Sequence, residues 1–216
     1  MIEIIKTAAA EINIDPNEVA VYLGYYSAET DDKTKDMVAQ CTEEFLEAAD
    51  FRACFAQVEV GKDGEIDLGN KIIRCNSLKK NLSGCDKAYV FAATTGIESH
   101  RLIERNFVIS PLKGIVTDCV GSAAIEAFCN QINLSFDNCD RLRPRFSPGY
   151  GDMPLECQKD IVEFLQTNKN AGISLTDSLM MVPVKSVTAI IGIGKEKNKC
   201  TGPGCMICSG TNCPYR

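Results

Sequence analysis

Lys87-Ala-Tyr-Val-Phe-Ala-Ala-Thr-Thr-Gly96 is a near-continuous apolar run closed by a glycine. Such a run reads as a buried central strand, because a strand with one wet face would alternate apolar with polar side chains. Upstream, Ala53 to Val60 alternates as a strand does. Gly61-Lys-Asp-Gly64 supplies the positive-φ positions of a tight hairpin, with Ile66 to Arg74 returning from it. Ser77 is placed to cap a short helix that Gly84 ends. Further out, Asp15-Pro16-Asn17-Glu18 marks a turn or helix start before the apolar-rich Val19 to Tyr26. Thr30 or Asp31 then caps a helix that runs to Asp50, in which Met37, Val38, Cys41, Phe45 and Ala48 or Ala49 recur at helical spacing. One face of that helix is expected to lie on a sheet.

Downstream of the central strand, Ile97 to Asn106 is helical and carries His100, the one histidine of the chain. Ser110-Pro111 opens a further helix, with proline at a position where its missing N–H costs nothing. It runs past Gly121 toward Asn130, with Ile115, Cys119, Ala123 or Ala124, Ala127 and Phe128 on one face. Arg141 to Gly151 holds two prolines and two glycines and is read as irregular. A helix from about Pro154 to Asn170 follows, with Leu155, Ile161, Val162 and Leu165 inward and Gly172 as its stop. Ile173 to Val182 and Ser186 to Ile193 read as two strands joined at Pro183. These elements predict an α+β fold, a mixed or antiparallel sheet with flanking helices, over residues 1–194. An irregular Cys-rich tail occupies residues 195–216.

A chain of 216 residues with ordinary apolar and charged fractions is expected to be globular. Its net charge of −6 argues against a nucleic-acid partner, since phosphate binding needs clustered Lys and Arg. The N-terminal Met1-Ile-Glu-Ile-Ile-Lys-Thr does not read as a signal peptide. No stretch approaches the roughly twenty apolar residues of a membrane span. A cytoplasmic location is expected, and with it reduced cysteines rather than disulfides among the 12 present. Cys41, Cys54, Cys75, Cys85, Cys119, Cys129, Cys139 and Cys157 are scattered and read as small buried hydrophobes.

Two segments could carry chemistry. Arg145-Phe-Ser-Pro-Gly-Tyr-Gly151 combines a guanidinium for bidentate grip on a carboxylate, a glycine that lets the backbone approach a ligand, and the π-face of Tyr150. The plain alternative is a proline-rich connection with a surface arginine. The tail places Cys200, Cys205, Cys208 and Cys213 at C-x4-C-x2-C-x4-C-P spacing, able to converge on an iron–sulfur cluster or a zinc ion. A free tail is again the plain alternative. The spacing is not the C-x3-C-x2-C of radical enzymes. His100 has no surrounding carboxylate pattern and is read as structural, and Lys195 to Lys199 as a solvated linker.

Arg145-Phe-Ser-Pro-Gly-Tyr150, the helix after it, and Gly172-Ile-Ser-Leu-Thr-Asp-Ser-Leu-Met-Met-Val-Pro-Val-Lys-Ser-Val-Thr188 resemble the activation domain of cobalamin-dependent methionine synthase. That domain shows an Arg-Pro-x-Pro-Gly-Tyr loop, a helix, a Leu-Thr-Glu-Ser segment and a Pro-x-x-Ser-Val-Ser turn. Ala124-Ile-Glu-Ala-Phe128 is similar to the family's Ala-Glu-Ala-Phe helix, and Tyr22-Leu-Gly-Tyr25 to shorter stand-alone versions. The chain departs from the pattern at Ala189 to Gly194, where the family has an aromatic-rich strand that helps enclose the ligand. It also lacks the corrinoid-binding Asp-x-His-x-x-Gly motif.

The resemblance implies a reactivation subunit that binds S-adenosylmethionine for reductive remethylation of cob(II)alamin on a partner corrinoid protein, with an external electron donor. Arg145 would hold the methionine carboxylate, Ser147 and Gly149 would give backbone contacts, and Tyr150 would pack on the ligand. Glu126 would accept from the ammonium or the sugar. No residue is assigned acid–base catalysis, because such a site positions a methyl group for the partner's cobalt. Iron–sulfur is placed ahead of zinc in the tail, since reactivation consumes a low-potential electron. The alternative is a non-catalytic iron–sulfur or zinc module that binds or reduces a corrinoid protein of another methyl-transfer pathway.

Overall fold

A computed structural model describes residues 1–26, 30–69, 71–136 and 141–195. Its centre is a four-stranded antiparallel sheet in the order β1 (Glu3–Thr7), β2 (Phe51–Glu59), β5 (Cys85–Thr94), β8 (Ser186–Gly194). Phe55 pairs with Phe91 and Phe91 with Ala189, so the registers of the three long strands align across the sheet. Successive residues alternate between two cores. Phe51, Ala53, Phe55, Tyr89, Phe91, Ala93, Ala189 and Ile191 face one, and Cys54, Ala56, Ala88, Val90, Ala92 and Ile190 face the other. Burial on both faces is why the run at 87–96 is apolar without alternation.

The first core is covered by α1 (Pro16–Tyr22), α2 (Asp32–Ala48), α4 (Ile97–Ile109) and α5 (Pro111–Ser135). Asp15 and Asp31 start α1 and α2 by accepting the backbone N–H groups of Asn17 and Thr34. Phe45, Phe51, Phe91 and Phe128 are fully buried there, each contributing about 1.5–3 kcal/mol of burial free energy. The second core lies under α3 (Asn76–Asn81), α6 (Cys157–Leu165) and the hairpin β3 (Ile66–Asp67) and β4 (Ile72–Ile73). Two short elements, α7 (Thr167–Asn170) and the hairpin β6 (Ser174–Leu175) with β7 (Met181–Val182), precede β8.

The expected α+β class and the central, long-helical and final strands are present, and several details differ. The N-terminus forms β1, an edge strand whose identity comes from its pairing with β2 rather than from alternation of its own. The turn at Gly61–Gly64 forms, with Gly61 N donating to Glu65 O and Ile66 bridging antiparallel to Val60, but the return stops there: the chain to Arg74 folds into the β3–β4 hairpin, tightened by Asp67 Oδ1 accepting from Gly69 N at 2.7 Å. The cap of α3 is Cys75, whose Sγ accepts from Leu78 N, while Ser77 lies inside the helix. The helix over 154–170 is divided into α6 and α7 by Gln166 in the left-handed region, and Leu155 stays outside the core. Ile173 to Val182 becomes the β6–β7 hairpin rather than one strand. On α5 the inward face passes through Val116, Val120, Ala123, Ala124 and Phe128, which leaves Ile115 exposed.

Among the described residues, Cys41, Cys54, Cys85 and Cys129 are buried and Cys75, Cys119 and Cys157 half-buried, all as free thiols. Burial pushes the Cys54 thiol up to about 12. Such a thiol behaves as a small hydrophobe. No helix of the described residues is long and apolar enough to cross a membrane.

Candidate functional site

Residues 142–146 run antiparallel beside β8 and occupy the sheet position that β8 would otherwise leave open. Leu142 bridges to Ile193 and Phe146 to Ile190, with Arg143 N donating to Gly192 O at 2.8 Å and Phe146 N to Ile190 O at 2.9 Å. Consecutive side chains of an extended segment point to opposite faces. Phe146 therefore packs against the second core, and Arg145 turns to α5 on the first.

There the Arg145 guanidinium spans two α5 residues one turn apart. Nη2 donates to Glu126 Oε2 at 2.5 Å and Nη1 to Asn130 Oδ1 at 3.1 Å. The i,i+4 spacing of Glu126 and Asn130 puts both on one helix face, as a planar fork requires. Cys129 is fully buried beside them; its thiol is pushed up to about 12, by burial first and with Arg145 and Glu126 opposing each other as smaller causes.

A third charged group completes the neighbourhood. Glu18, on α1, is half-buried, and its carboxyl is raised by burial first, then by Glu126 and Asp15, while Arg145 lowers it. The helix α1 rests on α5, so two carboxylates and one guanidinium share a partly desolvated surface. Glu18 carries no local signal in the sequence: at helical spacing beside Val19 it reads as a solvated position. Asn130 was legible in principle, four residues after Glu126.

The rest of the loop makes a turn with a defined backbone. Tyr150 N donates to Ser147 O at 3.0 Å, Pro148 follows Ser147, and Gly149 has φ +88°, the geometry of a type II turn that needs glycine at its third position. Gly149 N donates to Met153 O at 3.0 Å. Tyr150 meets Phe146 edge-on with ring centroids 6.1 Å apart and is 57% exposed. Gly151 approaches α3 so closely that a Cβ there would lie 2.4 Å from Ser77 Oγ.

Asp152 locks this end of the loop. Its carboxylate accepts Ser77 N at 2.8 Å and Asn76 N at 3.0 Å, the first N–H groups of α3. These bonds, that from the Ser77 backbone first, hold its carboxyl well below the usual range. The sequence offered no sign of this, because the two partners stand more than seventy positions away and meet through the fold.

Of the residues singled out from sequence, the structure brings Glu126 and Arg145 into contact and sets Ser147, Gly149 and Tyr150 in the adjoining turn. Cys200, Cys205, Cys208 and Cys213 lie outside the described residues, as does Cys139. Among the described residues no group of three or more His, Cys, Asp and Glu side chains could hold a metal. His100 sits on α4, half-buried, with Nε2 3.7 Å from Glu104 Oε1.

A family model described as vitamin B12 dependent methionine synthase, activation domain, matches residues 83–199, more than half of the 216 residues. The chain belongs to this family. The matched stretch contains Glu126, Asn130, Arg145 and the whole turn, and Glu18 lies upstream of it. The fold is similar to that of a solved structure described as the MetH reactivation domain bound to AdoHcy. The TM-score is 0.66 at 14% identity, covering 92% of this chain and 80% of that one. No curated protein matches this sequence.

Proposed function

We propose that this member of the activation-domain family is a reactivation subunit that binds S-adenosylmethionine. It would present the methyl group to cobalamin carried by a partner, a cobalamin-dependent methionine synthase or another corrinoid protein. The observation that carries the reading is the Arg145 guanidinium held against Glu126 and Asn130 next to the Glu18 carboxylate. An α-amino acid end needs a guanidinium for its carboxylate and a carboxylate for its ammonium. The surface offers both, and its carboxyl groups, Glu18, Glu126 and the neighbouring Asp15, outnumber the one guanidinium. S-adenosylmethionine carries one positive charge in excess, because its sulfonium adds to the ammonium. The AdoHcy of the structural neighbour is the demethylated form of that ligand, which supports the same reading.

In this proposal the ligand carboxylate takes donors of Arg145, and Glu126 turns to the ammonium. Ser147 and Gly149 bring backbone close to the ligand, and Tyr150 covers it. The family's aromatic strand is replaced by Ala189 to Gly194, whose side chains are buried in the sheet, so Tyr150 supplies the remaining aromatic surface. These residues bind and orient; S-adenosylmethionine supplies the methyl group, and a separate donor supplies the electron that cob(II)alamin requires. The partner brings the corrinoid, since the sole histidine lies in Glu98-Ser-His100-Arg-Leu and no Asp-x-His-x-x-Gly occurs.

Calorimetry with anaerobically prepared full-length protein tests the site. Wild type is expected to bind S-adenosylmethionine and Arg145→Ala to lose binding; a wild type that gives no binding overturns the reading.

The four tail cysteines belong to the same proposal as ligands of an iron–sulfur cluster or zinc. The last described residue, Lys195, follows β8, whose Gly194 is four positions beyond the Ile190 that pairs with Phe146. The tail thus starts roughly 13 Å along the strand from the Arg145 loop. Anaerobic metal and sulfide analysis with an absorption spectrum decides: brown colour with acid-labile sulfide is expected, and colourless zinc removes the redox role while leaving the ligand site untouched.

A further inference from the structure

At the end of α5 away from Arg145, the corner between α4 and α5 carries five apolar side chains in solvent. Val108 is 88% exposed, Ile109 67%, Leu112 57%, Ile115 48% and Phe107 43%. The corner is stiff. Ser110 caps α5, Pro111 opens it, and Gly114 is packed so tightly that a Cβ there would lie 2.5 Å from Phe107 Cγ. Phe107 is thereby pinned between the helices, and Val108 and Ile109 are held outward. None of the five is needed for the core, which α5 fills with Val116 and Val120.

Four of the five are aliphatic, and at roughly 100–150 Å² for each fully exposed side chain the corner presents about 300–450 Å². That is the size of the largest apolar patch on an ordinary monomer, about 300–600 Å² and often functional. It also approaches the apolar part, a little over half, of the ~800 Å² that each partner gives to a stable interface.

We propose that this corner is a self-association surface on which a second copy of the chain sits across a two-fold axis. The rim points to a like partner. Glu104 and Arg105 are adjacent and exposed, Arg101 pairs with Glu98 at 2.6 Å, and Lys113 with Glu44 at 2.7 Å. Charges of both signs are therefore balanced around the apolar centre. A strongly acidic or basic partner would be steered by an excess of one sign. In an isologous contact the same rim meets itself, and a rim that carries Glu104 and Arg105 side by side holds both members of a pair that could form across the axis. Ile115 and Glu126 are eleven positions apart on one helix, about 16 Å. The dimer therefore leaves the Arg145 site free for a corrinoid partner, and the inference holds whether or not S-adenosylmethionine binds there.

Sedimentation velocity of the full chain, anaerobic and with reductant, tests this over roughly 1–100 µM. The expected result is a species of twice the 23.6 kDa protomer. Val108→Glu and Leu112→Glu, each made alone, are expected to sediment as monomers and to melt as wild type does. A wild type that stays monomeric over the whole range overturns the proposal, as does a dimer that survives both substitutions. Wild-type monomer combined with loss of corrinoid-protein binding in the variants would assign the corner to that partner instead.

Discussion

The two ends of α5 differ in a way that separates two kinds of surface. Toward its C-terminal end, Glu126 and Asn130 are drawn into a charge-assisted fork with Arg145, with Glu18 alongside. At its N-terminal end, Leu112 and Ile115 stand in water beside Val108 and Ile109. Polar groups are half-buried where a small ligand would be held, and apolar groups are bare where a macromolecule would sit. Between them, Lys185 ties the helix to the turn before β8. Its Nζ lies 2.8 Å from Asp118 Oδ1 and 2.9 Å from Ser122 Oγ, and its stem fills the space over Gly121. Cost in burial, of charge at one end and of exposed hydrocarbon at the other, marks both surfaces.

The largest effect should come from removing the fork. Arg145→Ala is expected to weaken S-adenosylmethionine binding by about a hundredfold or more, and Arg145→Lys by about tenfold, because an ammonium keeps the charge but cannot bridge two acceptors in a plane. Calorimetry reads both, and equal losses for Ala and Lys would show that planarity is irrelevant. Asp152→Asn comes next. It removes the ionised acceptor of two α3 N–H groups, so the turn at Ser147 to Tyr150 should loosen and binding fall several-fold, with a lower melting temperature. Since the folded-state carboxyl sits below its ordinary value, the stabilisation is present at neutral pH and fades as pH falls below about 4. Wild type and variant melting curves should converge in acid.

Glu18→Gln is smaller and carries a sign. The raised folded-state carboxyl means that the folded protein holds its proton more tightly than the unfolded chain. Stability from that proton is present below the ordinary glutamate value and lost as pH rises through the raised one. The Gln variant should therefore be slightly more stable than wild type at neutral pH and equal to it in acid. It should also lose part of the preference for S-adenosylmethionine over its demethylated form, a zwitterion without net charge, a ratio that titrations with both ligands measure. At the other end of α5, Val108→Glu should leave ligand affinity unchanged, and any drop would mean that the two surfaces are coupled.

Much of the fold was legible because two long stretches carry their own pattern. The apolar run at 87–96 and the helical repeat from Pro111 are long enough for burial on one or both sides to show in residue type alone. The loop at 141–151 was read only as irregular, although Ser147-Pro-Gly-Tyr150 carried the signal of its turn, since proline at the second position and glycine at the third favour that backbone locally. The short strands were not legible. Glu3–Thr7 and the β3–β4 and β6–β7 hairpins are two to five residues long, too short for a period to register, and their pairing comes from neighbours. Ile115 was assigned inward because position and hydrophobicity agreed, and nothing local distinguishes a core isoleucine from one left bare for a partner.

Residue order alone thus settled the central strand, the long helices and the presence of a guanidinium in a proline- and glycine-rich loop, since each depends on residue type or periodic burial within one segment. Three-dimensional packing assigned the guanidinium its company. Glu18 stands more than a hundred positions before Glu126 and Arg145, which are themselves 19 apart, and Asp152 reaches Ser77 only because the fold brings the loop and α3 together. Electrostatic neighbours and hydrogen-bond partners act over a few ångströms in space and have no counterpart in sequence distance, so the site's charge balance exists only once the sheet has closed beneath it.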